Sequence, residues 1–326
     1  MHATSPSIDL PELPDALAFV RTGTRFVLTS HVNCDGDGVA GCLALQAILR
    51  SLGKSATVIL PDPPNAQYDF LVGWEGIETA GSPPPTTKAE RLIVLDCPSL
   101  TRIGKIEEHI GEGTKVLVLD HHQDSLPFGH VNLTTPQSSS SSELVYHLGV
   151  ALGFQFTPAV AEQIYMGILF DTGGFRYALT TPTTLEVGAQ LVRAGARLDF
   201  IADRLFNNQS LPVLKLLGRA LESLQLHCAD QVAVVHLSHA DLDGGMDHIE
   251  VVNYGLMVQS VEVSVALKEQ TPKQYRVSLR SRDHVDVREI AAVFGGGGHT
   301  RAAGCRLEGD AVQVRAQLLA EIEKHL

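Results

Sequence analysis

Four short apolar runs within the first 171 residues each lead into a carboxylate or an imidazole. Residues 25–30 lead to His31, which opens the segment His31-x-x-x-Asp35-x-Asp37. Residues 91–95 lead to Asp96, residues 115–119 lead to Asp120-His121-His122, and residues 167–170 lead to Asp171. Short runs of Val, Leu and Ile that do not alternate with polar residues bury both faces. Helical periods separate them. Residues 37–52 place Val39, Leu43, Leu45, Ile48, Leu49 and Leu52 in such a pattern, and Gly53 stops it. Doubly buried strands joined by helices predict an α/β fold on a mostly parallel sheet. In such sheets ligands gather outside the carboxyl ends of the strands. Acids and imidazoles placed there are suited to hard-to-borderline divalent cations.

The pattern predicts a further strand at 57–60 and helices at 158–169, 183–194, 198–206 and 211–224. Residues 82–85 read as a surface loop. Ser140-x-x-Glu143 ahead of Leu144, Val145 and Leu148 predicts a capping box and a helix start. The serine run 138–142 is either that helix start or a phosphate contact. From Val232 onward strands are expected at 232–237, 261–268 and 275–280, with helices near 248–257, 287–294 and 311–326. The expected organisation is therefore a first domain at 1–195, a connection at 196–211 and a smaller α/β domain at 212–326.

A formal charge of −12 over 326 residues argues against tight binding of long nucleic acid. It leaves room for a small phosphorylated substrate, because bound cations supply positive charge locally. The five cysteines are scattered without Cys-x-x-Cys spacing, which argues against a structural zinc site. That usage, and an N-terminal stretch without a secretion pattern, lead to an expected cytoplasmic location. No apolar run approaches the length of a membrane span. Cys34 and Cys97 adjoin candidate ligands and read as packing residues.

His31, Asp35, Asp37, Asp96, His121 and Asp171 make six candidate metal ligands. Taken alone, Asp35-Gly36-Asp37-Gly38 is equally an ordinary turn with a helix cap; the three companion runs favour a metal. An EF-hand is excluded by Val39, where a further oxygen ligand would be needed. Imidazoles with carboxylates suit Mn²⁺, Fe²⁺ or Zn²⁺ better than Ca²⁺. Two adjacent ions clamp the attacking and leaving oxygens of a phosphoryl transfer and acidify a water, so hydrolysis of a phosphate ester by two-metal hydroxide attack is the reaction class expected. A second signal is Gly295-Gly296-Gly297-Gly298-His299. Glycine is costly to order, so the run reads as a backbone anion cradle, with a flexible loop as the alternative. Arg280-Ser281 ends a strand nearby in sequence and offers a guanidinium fork for phosphate.

These motifs together resemble the DHH family of phosphoesterases. They are His31-Val32-Asn33-Cys34-Asp35-Gly36-Asp37, Leu95-Asp96, Asp120-His121-His122 and Phe170-Asp171-Thr172-Gly173. Arg280-Ser281 and residues 295–299 resemble the DHH-associated C-terminal domain, and the likeness covers nearly the whole chain in the family's order. Cys34 departs from the family pattern, which usually has proline there; no ligand is lost. The resemblance implies two Mn²⁺ ions. His31, Asp35 and Asp96 would hold one, and Asp37, Asp96, His121 and Asp171 the other. Asp120 would orient a ligand and His122 would lie at the scissile phosphate. Arg280, Ser281, Gly296, Gly297, Gly298 and His299 would grip the substrate.

The compact length is similar to the members that hydrolyse short RNA oligonucleotides to mononucleotides and dephosphorylate 3′-phosphoadenosine 5′-phosphate (pAp). The larger exonucleases of the family carry extra nucleic-acid-binding domains. A homodimer is also implied. Phosphodiesterase action on cyclic di-AMP or its linear product pApA is the near alternative. A manganese-dependent inorganic pyrophosphatase, whose second domain is lysine-rich, is the more distant one, and a non-catalytic binder the third.

Overall fold

A computed structural model describes residues 8–81, 88–242 and 250–326, with His299 described by its backbone alone. The chain divides into two compact units, Met1–Asn208 and Gln209–Leu326.

The first unit runs α1 (Leu13–Thr22), β1 (Arg25–Thr29), α2 (Gly36–Ser51), β2 (Ser55–Leu60), β3 (Glu78–Thr79), β4 (Arg91–Leu95), β5 (Lys115–Asp120), β6 (Val131–Thr134), α3 (Ser141–Ala151), α4 (Pro158–Asp171), α5 (Pro182–Arg193) and α6 (Leu198–Ala202). Its six strands are all parallel, in the order β3-β2-β1-β4-β5-β6. The order reverses direction between β1 and β4, which opens a crevice at the carboxyl ends of those strands. β1, β4 and β5 are neighbours, so His31, Asp96 and Asp120-His121-His122 leave the sheet side by side.

Strand alternation feeds two apolar layers. Leu28, Ile93, Leu95, Leu117 and Leu119 face a core shared with α2, α3 and α4. Leu92, Val94, Val116 and Val118 face the other side, where Ile103 and Ile106 cover them. That cover is built of short 3-10 turns at Leu100–Arg102 and Gly104–His109 rather than a full helix. α2 is buried on nearly every face, as a helix that is apolar all round must be.

Within residues 196–211, α6 and a π-helical turn at Asp203–Asn207 occupy the helix expected at 198–206, and Ala196 and Ile201 are buried in the first unit's core. Their apolar side chains have a core to enter, so they fold with it.

The second unit runs α7 (Leu211–Glu222), β7 (Gln225–His227), β8 (Val232–Leu237), α8 (Val252–Gly255), β9 (Val263–Thr271), β10 (Gln274–Ser281), α9 (Val287–Val293), β11 (Gly297–His299), β12 (Ala302–Glu308) and α10 (Ala311–Ile322). Its sheet is mixed, in the order β11-β12-β10-β9-β8-β7, with β8 and β9 parallel and the other pairs antiparallel. One face packs on α9 and α10, and Tyr275, Val277, Leu279, Ala303 and Cys305 point into that core. The helix expected near 248–257 is seen only as α8; residues 243–249, and the loop expected at 82–85, lie outside the described residues. Among the described residues no helix is long and apolar enough to cross a membrane.

Candidate metal centre

Asp35 is the N-cap of α2 and accepts backbone hydrogen bonds from Asp37 (3.0 Å) and Gly38 (3.3 Å). The cap reading and the ligand reading of this segment therefore describe one residue: Oδ1 caps the helix while Oδ2 faces His31 Nε2 at 4.0 Å. The turn leaves the carboxylate of Asp37, in the first turn of α2, fully buried. There it accepts from the backbone N–H groups of Ser141 (2.6 Å) and Ser142 (3.0 Å) at the start of α3. The N-terminus of α3 thus points at this carboxylate, the favourable end of its helix dipole.

The serine run is the start of α3, as the capping pattern implies, but only half of the capping box forms. Ser140 accepts from the Glu143 N–H, whereas the Glu143 carboxylate turns to Ser139 and to Thr184 Oγ1 (2.9 Å).

Asp96 follows β4 with φ +54°, an uncommon left-handed backbone for a non-glycine residue, of the kind retained where surroundings over-determine it. Its Oδ2 lies 3.6 Å from His31 Nε2 and its Oδ1 3.5 Å from His121 Nε2. Burial alone would raise the Asp96 carboxyl, but hydrogen bonds from His121 and His31 outweigh it and hold the group well below the usual range. Asp37 goes the other way: burial and the Asp96 charge push it up to about 6.

Asp171 is the last residue of α4, the helix expected at 158–169, so unlike the other candidate ligands it closes a helix rather than follows a strand. The apolar run before it is a buried helix segment, a length and pattern that periodicity alone does not separate from a strand. A carboxylate at a helix C-terminus faces the negative end of the dipole. Burial, then the charge of Asp37, drives the Asp171 carboxyl well above its ordinary value. Its Oδ2 is buried without a hydrogen-bond partner and lies 3.0 Å from His121 Nε2.

The donor set fits a divalent cation. His31, Asp35 and Asp96 form one group whose ligand atoms lie within 4.8 Å of one another, and Asp37, Asp96, His121 and Asp171 form another. Asp96 belongs to both, and also to a third group with His121 and His122. Buried carboxylates that repel one another, with an orphaned oxygen among them, are stabilised by a cation in their midst. His31 Nδ1 is anchored by the Val32 carbonyl at 2.8 Å and the Arg102 guanidinium at 3.2 Å, which turns Nε2 toward Asp96. Asp120 is fully buried and accepts from His122 Nδ1 at 2.7 Å, which orients that ring.

Glycine makes room at this centre. A Cβ on Gly167 would overlap Ser142 Oγ and stand 2.6 Å from Asp37 Oδ1. Gly167→Ala is expected to destabilise the chain by roughly 1–3 kcal/mol, as overpacking does, and to loosen metal retention at Asp37. Urea unfolding and metal content after dialysis measure the two effects, and an unchanged unfolding midpoint would contradict the close fit.

In the second unit, Arg280 and the glycine run line one groove of about 550 Å³, together with Glu250, Arg276, Ser278, Phe294 and Arg306. Ser281 does not join them. Successive strand residues point to opposite faces, and Ser281 is buried on the core side, donating to the Val285 carbonyl at 2.6 Å. The same period of two, counted back from Arg280, marks Ser278 and Arg276 as groove residues.

The glycine run also differs from a free anion cradle. The N–H groups of Gly295 and Gly296 donate to Ala292 and Ala291 at the end of α9, and Gly297 and Gly298 pair with β12. A Cβ on Gly296 or Gly298 would strike β12 backbone, so close strand packing accounts for both. The His299 side chain lies outside what is described.

A DHH family, N-terminal domain model matches residues 25–168 and a DHHA1 domain model matches residues 230–326. The chain is similar to the bifunctional oligoribonuclease and PAP phosphatase NrnA of Thermus thermophilus, with 32% identity over 92% of this chain and 89% of that one. It is 26% identical to the protein of the same name from Bacillus subtilis, over 86% of this chain and 88% of the relative. Among solved structures, an exopolyphosphatase-related protein from Bacteroides fragilis matches with a TM-score of 0.89 and 26% identity, covering 96% of each chain. With both domain models matched in order, and 32% identity sustained along nearly the full length of a relative, the chain belongs to the DHH family of phosphoesterases.

Proposed function

We propose that the chain is a manganese-dependent phosphoesterase that hydrolyses very short RNA oligonucleotides to mononucleotides and removes a phosphate from pAp. The observation that carries this reading is the sharing of Asp96 between two ligand groups in a chain similar to NrnA proteins along most of its length. His31, Asp35 and Asp96 would hold one ion, and Asp37, Asp96, His121 and Asp171 the other. When bound, such a pair supplies Lewis-acid stabilisation of the phosphoryl oxygens and lowers the pKa of water.

The chain's own residues do the rest. Asp120 holds the His122 Nδ1 proton, so Nε2 of a partly exposed ring is presented for proton exchange with the leaving oxygen. Burial lowers the His122 pKa, but the Asp120 hydrogen bond and the Asp96 charge outweigh it and raise it, which favours the ring as a proton donor. Arg280, held by Glu250 at 2.9 Å and by the Leu279 carbonyl at 3.1 Å, offers a pre-positioned fork to a substrate phosphate. The first unit would cleave and the second would recognise.

A substrate panel tests this reading: pAp, dinucleotides, pentanucleotides, a twenty-mer, cyclic di-AMP and pyrophosphate, each with Mn²⁺. Catalytic efficiency is expected to decline from two to five nucleotides and to be poor for the twenty-mer. The logarithm of dinucleotide affinity should fall with log[salt] at a slope no steeper than about −2, given about 0.7 per phosphate neutralised on a single strand. Rates that rise with length alongside a steep slope would indicate a long nucleic-acid groove instead, and preferential cleavage of pyrophosphate would indicate the pyrophosphatase alternative.

A further inference from the structure

We propose that Arg276 and Arg306 form a second anion subsite in the groove of the second unit, taking a phosphate of the substrate chain beyond the one held at Arg280. This rests on the reading above that Arg280 meets a nucleotide phosphate. Arg276 on β10 and Arg306 on β12 are directly paired across antiparallel strands, so their side chains leave the same face of the sheet side by side. Both are exposed, both line the groove, and neither has an acidic partner among the described residues. Like charges directly opposite on neighbouring strands are destabilising. In a chain of net charge −12, with acids plentiful, two facing arginines without a counter-ion suit an anion brought by a ligand.

The groove between the two positions is open. Ser278 pairs with Gly304, and Ala302 pairs with Arg280, so no large side chain stands on the floor from one end to the other. Arg280 lies four positions along β10 from Arg276, about 13 Å at the rise of a strand. Arg280 is tied to Glu250 and to the Leu279 carbonyl, which fixes its guanidinium at its own end. Two phosphates are therefore met at two places. A nucleotide chain with successive phosphates reaches both; a single nucleotide such as pAp is too short to do so. The subsite thus acts on selectivity between oligonucleotides and mononucleotides.

The test uses the full chain and the variants Arg276→Gln, Arg306→Gln and their combination, loaded with Mn²⁺. The ratio of kcat/KM for a pentanucleotide to that for pAp is expected to fall about 10-fold in the double variant, the scale of one charge-assisted contact. Its salt slope for binding a fluorescein-labelled pentanucleotide in EDTA, read by anisotropy, should flatten by about 0.7. Its Tm should not fall, because a repulsive pair has been removed. An unchanged selectivity ratio, or a Tm that falls with both activities together, overturns the subsite and leaves the proposed activity standing. A wild-type chain that cleaves none of these substrates, yet binds the pentanucleotide with the same arginine-dependent slope, overturns the proposed activity and supports the subsite. A wild-type chain that neither cleaves nor binds overturns both.

Discussion

Asp96→Ala is expected to abolish hydrolysis while leaving the protein folded. Asp96 is common to every ligand group found among the described residues, and its two oxygens face different histidines. Removing it takes a ligand from both proposed ions and leaves His31 and His121 without the carboxylate that partners them. A loss of at least about 1000-fold in kcat, about 4 kcal/mol of transition-state stabilisation, is the scale to look for. Metal content should drop in parallel, and the far-ultraviolet circular dichroism should not. The parallel sheet does not depend on this side chain, because its strands are held by backbone pairing and by the Leu and Val layers on both faces. Two metals retained with near-normal turnover would remove Asp96 from the centre.

Arg280→Ala should separate recognition from metal binding. Losing one charge-assisted phosphate contact costs roughly 2–4 kcal/mol in transition-state stabilisation. That corresponds to about 30- to 1000-fold in kcat/KM. Manganese stoichiometry should stay at the wild-type value, since Arg280 belongs to none of the ligand groups. The partner left behind, Glu250, is more than half exposed and remains solvated, so stability should change little. A variant that loses metal but keeps its substrate affinity would place Arg280 in the wrong site.

What the sequence shows of this molecule follows its physics closely. Continuous Val, Leu and Ile runs are legible as buried parallel strands because nothing else in a chain of this composition needs them, and the acids at their ends mark the crevice. His31, Asp35, Asp37, Asp96, His121 and Asp171 do converge in space. The run before Asp171 is too short to read alone, but as the end of the longer pattern at 158–169 it is legible as a helix, and α4 packs against α2 as a buried one.

β11 and β12 are harder to see. A glycine-rich stretch has low strand propensity, and here it pairs because small residues let two backbones approach closely. Ser281 misleads for the opposite reason: adjacency in sequence suggests a shared role with Arg280, while the pleat sends the two to opposite faces. The Ser141 and Ser142 N–H groups that meet Asp37 lie more than a hundred residues along the chain from it. Nothing local in the sequence announces them.

The position of Asp171 at the end of α4 also bears on biogenesis. The candidate ligands are delivered in chain order from His31 to Asp171, and the last of them arrives 171 − 31 = 140 residues after the first. Chains are synthesised at roughly 5–20 residues per second. For about 7–28 seconds, then, a growing chain carries His31 and no Asp171. The parallel pairings that bring β1, β4 and β5 together are non-local, and they must close before the two ligand groups exist. A nascent or truncated chain therefore holds an incomplete cluster, and the candidate ligand set is complete only when the first unit is whole.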